Sequence, residues 1–344
     1  MKKINIAGVL FGLVHFAVEI SSFYVISSYV EYEHIWLLGL LFDFVAFVPQ
    51  GLFGFIYDKK RKIQFGVVGT VLMSASIVMF NFEADPFAVV FVLTAGNAMI
   101  HLYAAELTLR GSKGKMTPSA LFVSGGSFGV ITGKLLAVYN VPVLYIIVVN
   151  ALSLLIILII DTLVDANDES SLEKYNYSNE KAGHIAIIIL SVIVVTVRSY
   201  MGYGIPTAWN KTVLQNIALF CCMGIGKAAG GMLIDAIGIR KTAFISTLCA
   251  MPLLMFGNSR MYVSLLGVMM FSMTMAVTLA LLVSEMKKTP GIAFGLTTIG
   301  LFLGLVPVFF YRIYSLMLNC IIVGILSIVS MIILLFICRK ENDK

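Results

Sequence analysis

Four ionisable residues interrupt long apolar stretches of this 344-residue chain, and their types point to proton and anion chemistry. His15 and Glu19 are four apart, which on a helix places both on one face. His101 and Arg198 break two further apolar runs. An ionisable group near a bilayer centre costs about 2.5–3.5 kcal/mol on insertion scales, so each needs a compensating reason to be there. Glu and His both titrate in response to desolvation and neighbours. Glu19 is therefore the expected proton carrier, with His15 or His101 as relay or alternative carrier. Arginine is a permanent cation, which suits Arg198 to holding an anionic group of a ligand, or to neutralising Glu19 until a proton or ligand displaces it. The plainer alternatives are a Glu19–Arg198 pair that only fastens the bundle, and neutral histidines satisfied by backbone carbonyls.

These assignments presuppose a membrane, and the composition supplies one. Hydrophobic residues make up 60% of the chain and charged residues 12%, with mean hydropathy +0.98; a soluble domain has about 45–50% and about 25%. A crossing needs roughly 20 residues, so twelve would use about 240 and leave no room for a separate soluble domain. The apolar runs predict crossings at Ile4–Val30, Ile35–Tyr57, Ile63–Asn81, Phe87–Leu109, Pro118–Val138, Val143–Leu163, Ile185–Thr207, Thr212–Ile234, Thr242–Phe256, Met261–Ser284, Pro290–Phe310 and Leu316–Cys338. The one long polar stretch, Asp165–Lys181, has no apolar run and reads as a linker. The expected fold is an all-α integral membrane protein of about twelve transmembrane helices. Its expected organisation is a six-helix half over 1–164, a cytoplasmic linker over 165–183, and a second half with a short tail over 184–344.

Lys and Arg resist translocation, so their placement sets orientation. With the N-terminus inside, eighteen of the 24 fall in inner segments, among them Lys2, Lys3, Lys59–Lys62, Arg110, Arg240, Lys241 and Arg339. Lys211, Arg260 and Arg312 fall outside, and Lys134, Arg198 and Lys227 fall within helices. Both termini are therefore expected in the cytoplasm, at the cell membrane. The formal net charge of +6 is a topology signal and gives no reason to invoke nucleic acid. The first apolar segment is too long for a cleaved signal and is interrupted by His15 and Glu19. The five cysteines lie in or at the ends of helices without metal spacing, and read as packing residues. No nucleotide-binding signature is present, no cofactor is expected, and the lipid bilayer, protons and a small solute are the expected partners of a monomer.

The two halves repeat one another. QGLFGFIYD at Gln50–Asp58 matches KAAGGMLID at Lys227–Asp235, and KMTPSALF at Lys115–Phe122 matches KKTPGIAF at Lys287–Phe294, in the same order at offsets of 177 and 172. With these residues the chain resembles the major facilitator superfamily. That family's signature, after its second and eighth helices, is a Gly, an Asp four residues on, then a Gly and basic residues. The first copy here supplies Gly54, Asp58 and Lys59–Lys62 without the second Gly; the second supplies Gly231, Asp235, Gly238, Arg240 and Lys241. The resemblance implies gating by Gly54, Asp58, Gly231, Asp235 and Arg240, and a central cavity lined by the first, fourth, seventh and tenth helices. Glycines permit close helix approach, and an Asp at the surface can cap a neighbouring helix, so such a contact can close one face and open as the halves rock. A narrower resemblance, to the fosmidomycin-resistance-like efflux branch, rests on HFAVE at His15–Glu19, GNAMIH at Gly96–His101, FVSGGSFG at Phe122–Gly129 and RSYMGYGIP at Arg198–Pro206. It departs where Leu102 and Tyr103 follow His101.

Further positions carry weaker expectations. Ser272, Thr274 and Thr278 offer hydroxyls to the cavity, and substrate binding is assigned to Arg198, His101, Thr274 and Thr278. Asp43 and Lys134 fall in outer halves of their helices; Lys227 and Glu106 fall nearer the inner ends, where long side chains snorkel. Glycines of the fifth and eleventh helices suit close crossings, and Gly202, Gly204 and Pro206 would loosen an outer gate. The expected function is secondary transport by alternating access. Proton-coupled export of a small amphipathic or anionic compound leads, with proton-coupled uptake as its alternative. Rivals from other classes are an intramembrane enzyme using His15 and Glu19 as acid and base, and a non-transporting receptor or partner protein.

Overall fold

A computed structural model describes residues 2–61, 63–165, 169–204, 207–311 and 315–340. Of the positions singled out above, Lys62, Pro206 and Arg312 lie outside the described residues. The described chain is helical: α1 (Lys2–Ser28), α2 (Ile35–Phe47), α3 (Pro49–Lys59), α4 (Phe65–Asn81), α5 (Pro86–Gly111), α6 (Thr117–Val138) and α7 (Val143–Leu163) precede the linker. After it come α8 (His184–Gly204), α9 (Val213–Ile237), α10 (Ile239–Phe256), α11 (Met261–Ser272), α12 (Thr274–Glu285), α13 (Pro290–Phe310) and α14 (Leu316–Ile337). Eleven spans are long and apolar enough to cross a membrane, and α4, with 17 residues, is a shorter apolar helix. The most apolar spans, α7 and α14, are among the least buried, whereas α1, α5 and the α11–α12 span are mostly buried. Water would impose the opposite order; a lipid surround explains it.

Two of the crossings are broken, which the sequence reading did not foresee. α2 and α3 form one span interrupted at Pro49, which has no N–H to give the preceding turn. The nearby Phe47 carbonyl instead accepts from Thr298 Oγ1 on α13, at 3.0 Å. The other break separates α11 from α12 at Met273, and the Thr274 hydroxyl there donates to the Phe271 carbonyl at 2.7 Å.

Packing repeats across the linker. α1 lies on α6 as α8 lies on α13, α4 on α5 as α10 on α11, and α1 on α7 as α8 on α14. The glycines of α6 make the first of these close: side chains at Gly125, Gly129 or Gly133 would overlap carbonyls of Gly12, Phe16 and Ile20 on α1. Helices from before and after the linker meet along two seams, α3 with α13 and α6 with α9.

The stretch read as a linker is partly buried. Leu172 and Tyr175 are buried, and the segment pairs with the chain's C-terminal end: Asn179 N–H donates to the Ile337 carbonyl at 2.8 Å, and Arg339 N–H to the Tyr177 carbonyl at 2.9 Å. Its few apolar and aromatic residues are spaced for an extended strap, too short a pattern to register as an apolar run.

Candidate functional site

Two facing turns, one on α1 and one on α5, bring the sequence-predicted acid and bases together. His15 and Glu19 are one turn apart, as are Asn97 and His101, so each helix offers a pair to the other. His101 Nε2 lies 3.3 Å and His15 Nε2 3.7 Å from the same oxygen of Glu19. The two imidazoles meet edge to face with centroids 4.3 Å apart. Asn97 Nδ2 donates to Ser22 Oγ at 2.9 Å and reaches Glu19 Oε1 at 3.4 Å. Room for the His15 ring comes from Gly126 on α6, where any Cβ would overlap the imidazole.

The other ring nitrogens decide what this cluster can do. His15 Nδ1 sits 2.9 Å from the Phe122 carbonyl and His101 Nδ1 3.0 Å from the Asn97 carbonyl. A carbonyl accepts only, so both Nδ1 atoms must carry protons. Each neutral ring then presents an Nε2 lone pair, and the two lone pairs and a carboxylate oxygen converge with no proton of their own between them. One added proton turns that repulsion into a charge-assisted hydrogen bond. The same three residues are the metal-spaced grouping among the described residues, with ligand atoms within 4.8 Å of one another.

The cations stand on the other side of the linker. Arg198 on α8 makes no ion pair with Glu19 or with any other described carboxylate; its Nε is buried without a partner, and its guanidinium lies 6.0 Å from the Phe271 ring. The Glu19–Arg198 pair weighed from sequence is therefore not formed here, because Glu19 is turned to the two histidines of α1 and α5. Lys227 is nearer the inner end of α9, as expected, but is not at the surface. It lines a narrow crevice between α6, α9, α12 and α13, within Coulombic reach of Glu19 and Arg198. Lys134 sits over the rings of Phe23 and Phe220, at 5.4 and 5.0 Å. Thr274 and Thr278 are buried, and both hydroxyls donate to carbonyls of the same crossing, so neither joins the cluster. Asn97 and Lys227 were not assigned roles from sequence; the four-residue spacing from Asn97 to His101 is the signal that could have found the first.

The repeated Gly and Asp join helices from the two sides of the linker. Asp58 accepts from the backbone N–H groups of Gly291 at 3.1 Å and Ile292 at 3.0 Å, at the start of α13. Asp235 accepts from Met116 and Thr117 N–H, both at 2.9 Å, and from the Thr117 hydroxyl at 2.6 Å, at the start of α6. Each carboxylate thus caps a helix from across the linker, where unpaired N–H groups and the helix dipole favour negative charge. Gly54 lets α3 touch the backbone of Gly291, and Gly231 lets α9 touch Met116 and Ala120. Gly238, at φ 90°, is the single residue joining α9 to α10. Arg240 begins α10 beside this latch and makes no ion pair with Asp235. Arg110, counted from sequence with the basic loops, is buried in α5 and pairs with Glu106 at 2.7 Å.

Paired latches on one face of a duplicated bundle, with an acid–base cluster at its centre, make a comparison with solved transporters decisive. The chain superposes on FucP, a major facilitator superfamily transporter in its outward conformation, with TM-score 0.68 and 16% identity over 97% of this chain and 99% of that one. A variant of the E. coli fucose:proton symporter FucP gives 0.65 and 15% over 98% of both chains. The human organic anion transporter MFSD10 (TETRAN) gives 0.67 and 15%, covering 96% of this chain and 98% of that one. The fold is that of major facilitator superfamily transporters. No family model matches the chain, and no curated protein matches its sequence.

Proposed function

We propose that the chain is a secondary transporter that moves a small anionic solute by alternating access, with a proton as coupling ion. The observation that carries this reading is the convergence of His15 Nε2, His101 Nε2 and Glu19 Oε1, three acceptors that one proton reconciles. Glu19 and His15 carry the proton, with His101 handing it on or, when charged, helping to hold the solute. Arg198 holds the solute's anionic group, its guanidinium being free of any described carboxylate. The basic-rich, latched face is the cytoplasmic one by the positive-inside rule, with both termini inside at the cell membrane and a six-helix half on each side of the linker. Breaking the Asp58 and Asp235 caps opens the site to that side, and Gly202 and Gly204 border the opposite mouth.

Export by proton antiport is the leading direction, resting on the resemblance to the fosmidomycin-resistance-like branch. Uptake by symport is the second reading, favoured by the likeness to a fucose:proton symporter. An acid–base enzyme is disfavoured by the duplicated halves and because no described Ser, Thr, Cys or Lys side chain is hydrogen-bonded to either histidine.

Proteoliposomes with an imposed pH gradient and a panel of small organic acids test the reading. Gradient-driven movement of at least one acid, lost in Glu19→Gln while solute exchange survives, is expected; Arg198→Ala abolishes both. Turnover of a solute in detergent without any gradient, or transport untouched by both substitutions, overturns it.

A further inference from the structure

Lys227 occupies a place where the two halves of the repeat differ. At the offset of 177 its counterpart is Gln50, and each lies eight residues before its latch Asp, about 12 Å along the helix. Gln50 is neutral, 1% exposed, and donates to the Ala46 carbonyl of its own crossing at 2.6 Å. Lys227 instead projects into the crevice between the halves, where Met116, Met275 and Phe294 supply apolar walls and Thr297 a hydroxyl. No described residue pairs with its amine by a hydrogen bond or an ion pair. An ammonium kept in such surroundings without a counter-ion is costly, and a carboxamide at the same place in the other half shows that the fold does not need it.

The charges that face this region do not balance. Glu19 and Asp43 are its carboxylates, and both act on Tyr203 near the far mouth. The cations are Lys134, Arg198 and Lys227. Lys134 is already placed between two aromatic rings, Glu19 is engaged by the histidines, and Asp43 forms no ion pair with a described cation. Arg198 and Lys227 are left, on α8 and α9 of one half, which both pack on α12, and within Coulombic reach of each other. Two like charges held together without an anion repel, so they are placed to receive one.

We infer that Lys227 is a second anion anchor in the central site and that the transported solute carries two acidic groups, one received by Arg198 and one by Lys227. This rests on the transporter reading above and narrows its substrate class from small anions to dianions with a short apolar body. A single-charge solute would engage only one of the two cations directly, and its neutral end would face an ammonium.

Calorimetric titration of the purified full chain at low ionic strength tests this, with four- to six-carbon aliphatic dicarboxylates and their monomethyl esters as probes. At least one dicarboxylate is expected to bind about tenfold or more tighter than its monoester, the worth of one charge-assisted contact. Lys227→Met is expected to bring the dicarboxylate down to the monoester's affinity, Lys227→Arg to keep the preference, and Arg198→Ala to weaken both probes. Equal affinity for diacid and monoester, no binding of any probe, or a preference that survives Lys227→Met overturns the inference. If Lys227 instead serves Glu19, Lys227→Met shifts the pH dependence of coupling and leaves the diacid preference intact, which also overturns it. The transporter reading fails separately: it falls if no solute movement follows a pH gradient, whatever Lys227 binds.

Discussion

The two latches use one chemical idea with different reach. Their target helices carry the same Thr-Pro pair, Thr117–Pro118 and Thr289–Pro290, and proline has no N–H for a carboxylate to grip. Asp58 takes the two N–H groups after its proline, and Asp235 takes the two groups before, together with the Thr117 hydroxyl. The linker touches both latches, but it reaches the capping carboxylate only at the second; beside the first, Glu169 pairs with Arg61 at 2.6 Å and the Glu173 carbonyl accepts from Lys287 Nζ at 3.3 Å. The Tyr177 hydroxyl donates to the Gly114 carbonyl at 2.8 Å, with Asp235 Oδ1 3.4 Å away. Tyr177 N–H reaches Ser284 Oγ at 3.0 Å, and Tyr175 is buried against Ser112 and the Leu109 carbonyl. Pseudo-symmetry of sequence thus does not imply equal strength: the capping carboxylate of the α6–α9 seam has more donors than that of the α3–α13 seam, and the strap's Tyr177 stands beside it.

The glycines offer the largest test of that contrast. A Cβ on Gly54 meets three backbone atoms of Gly291 and Ile292, all within 2.8 Å, and backbone cannot step aside. At Gly231 the first obstacle is the Ala120 methyl. Overpacking of this kind costs about 1–3 kcal/mol or more. Gly54→Ala is expected to shift the closed state toward open by the upper end of that range, and Gly231→Ala by less. Spin labels on the exposed Lys59 and Lys241 positions, in a background free of the five cysteines, read the separation of the halves. Equal shifts from the two glycines would mean that both seams relax together.

Next in size are the carboxylates. Asp235→Asn weakens contacts to three donors and Asp58→Asn to two, and a hydrogen bond to a charged group is worth about 1.5–3 kcal/mol. Part of the helix-dipole interaction, up to about 2 kcal/mol, goes with either charge. Opening by about 3 kcal/mol for Asp235→Asn and about 2 kcal/mol for Asp58→Asn is expected from the same label distances. A reversed order would show that the Thr117 hydroxyl adds nothing to the second latch.

How much of this the sequence disclosed depends on what each feature is made of. The crossings and the latch residues were legible because apolar length, Lys and Arg placement and a repeated Gly–Asp spacing are local patterns. The grouping of His15 with Glu19 followed from helix spacing, and His101 joined them through the expected line-up of helices. The partner of Glu19 was not legible, since whether α5 or α8 reaches it first depends on how two distant helices are rotated. For Lys227 it was the snorkelling that failed, for a related reason: eight residues from Asp235 is about 12 Å, more than a lysine spans, but only the crevice reveals which way it faces. The strap escaped notice because Leu172, Tyr175 and Tyr177 are three residues in a polar run, and their burial is decided by the floor beneath them. The break at Met273 has no proline or glycine to announce it.

The smallest expected effect isolates the linker. Burial, and after it the Asp235 carboxylate, raise the Tyr177 phenol above its ordinary range, so it stays a neutral donor throughout the physiological range. The sign is that of an acid with a raised pKa: the strap's contribution is fully present below pH about 10 and is lost only as the pH rises beyond the ordinary tyrosine value. Tyr177→Phe keeps the ring and removes the hydroxyl, so it is expected to favour opening by about 1 kcal/mol, one neutral hydrogen bond. Its effect is expected to be coupled to Asp235→Asn and additive, within about 0.5 kcal/mol, with Asp58→Asn, because only the first pair is in contact. A double-mutant cycle on the same distances decides between two descriptions. Coupling to Asp235 alone makes the strap part of one latch, whereas equal coupling to both makes it a tie on the whole closed face and removes the asymmetry argued from the donor counts.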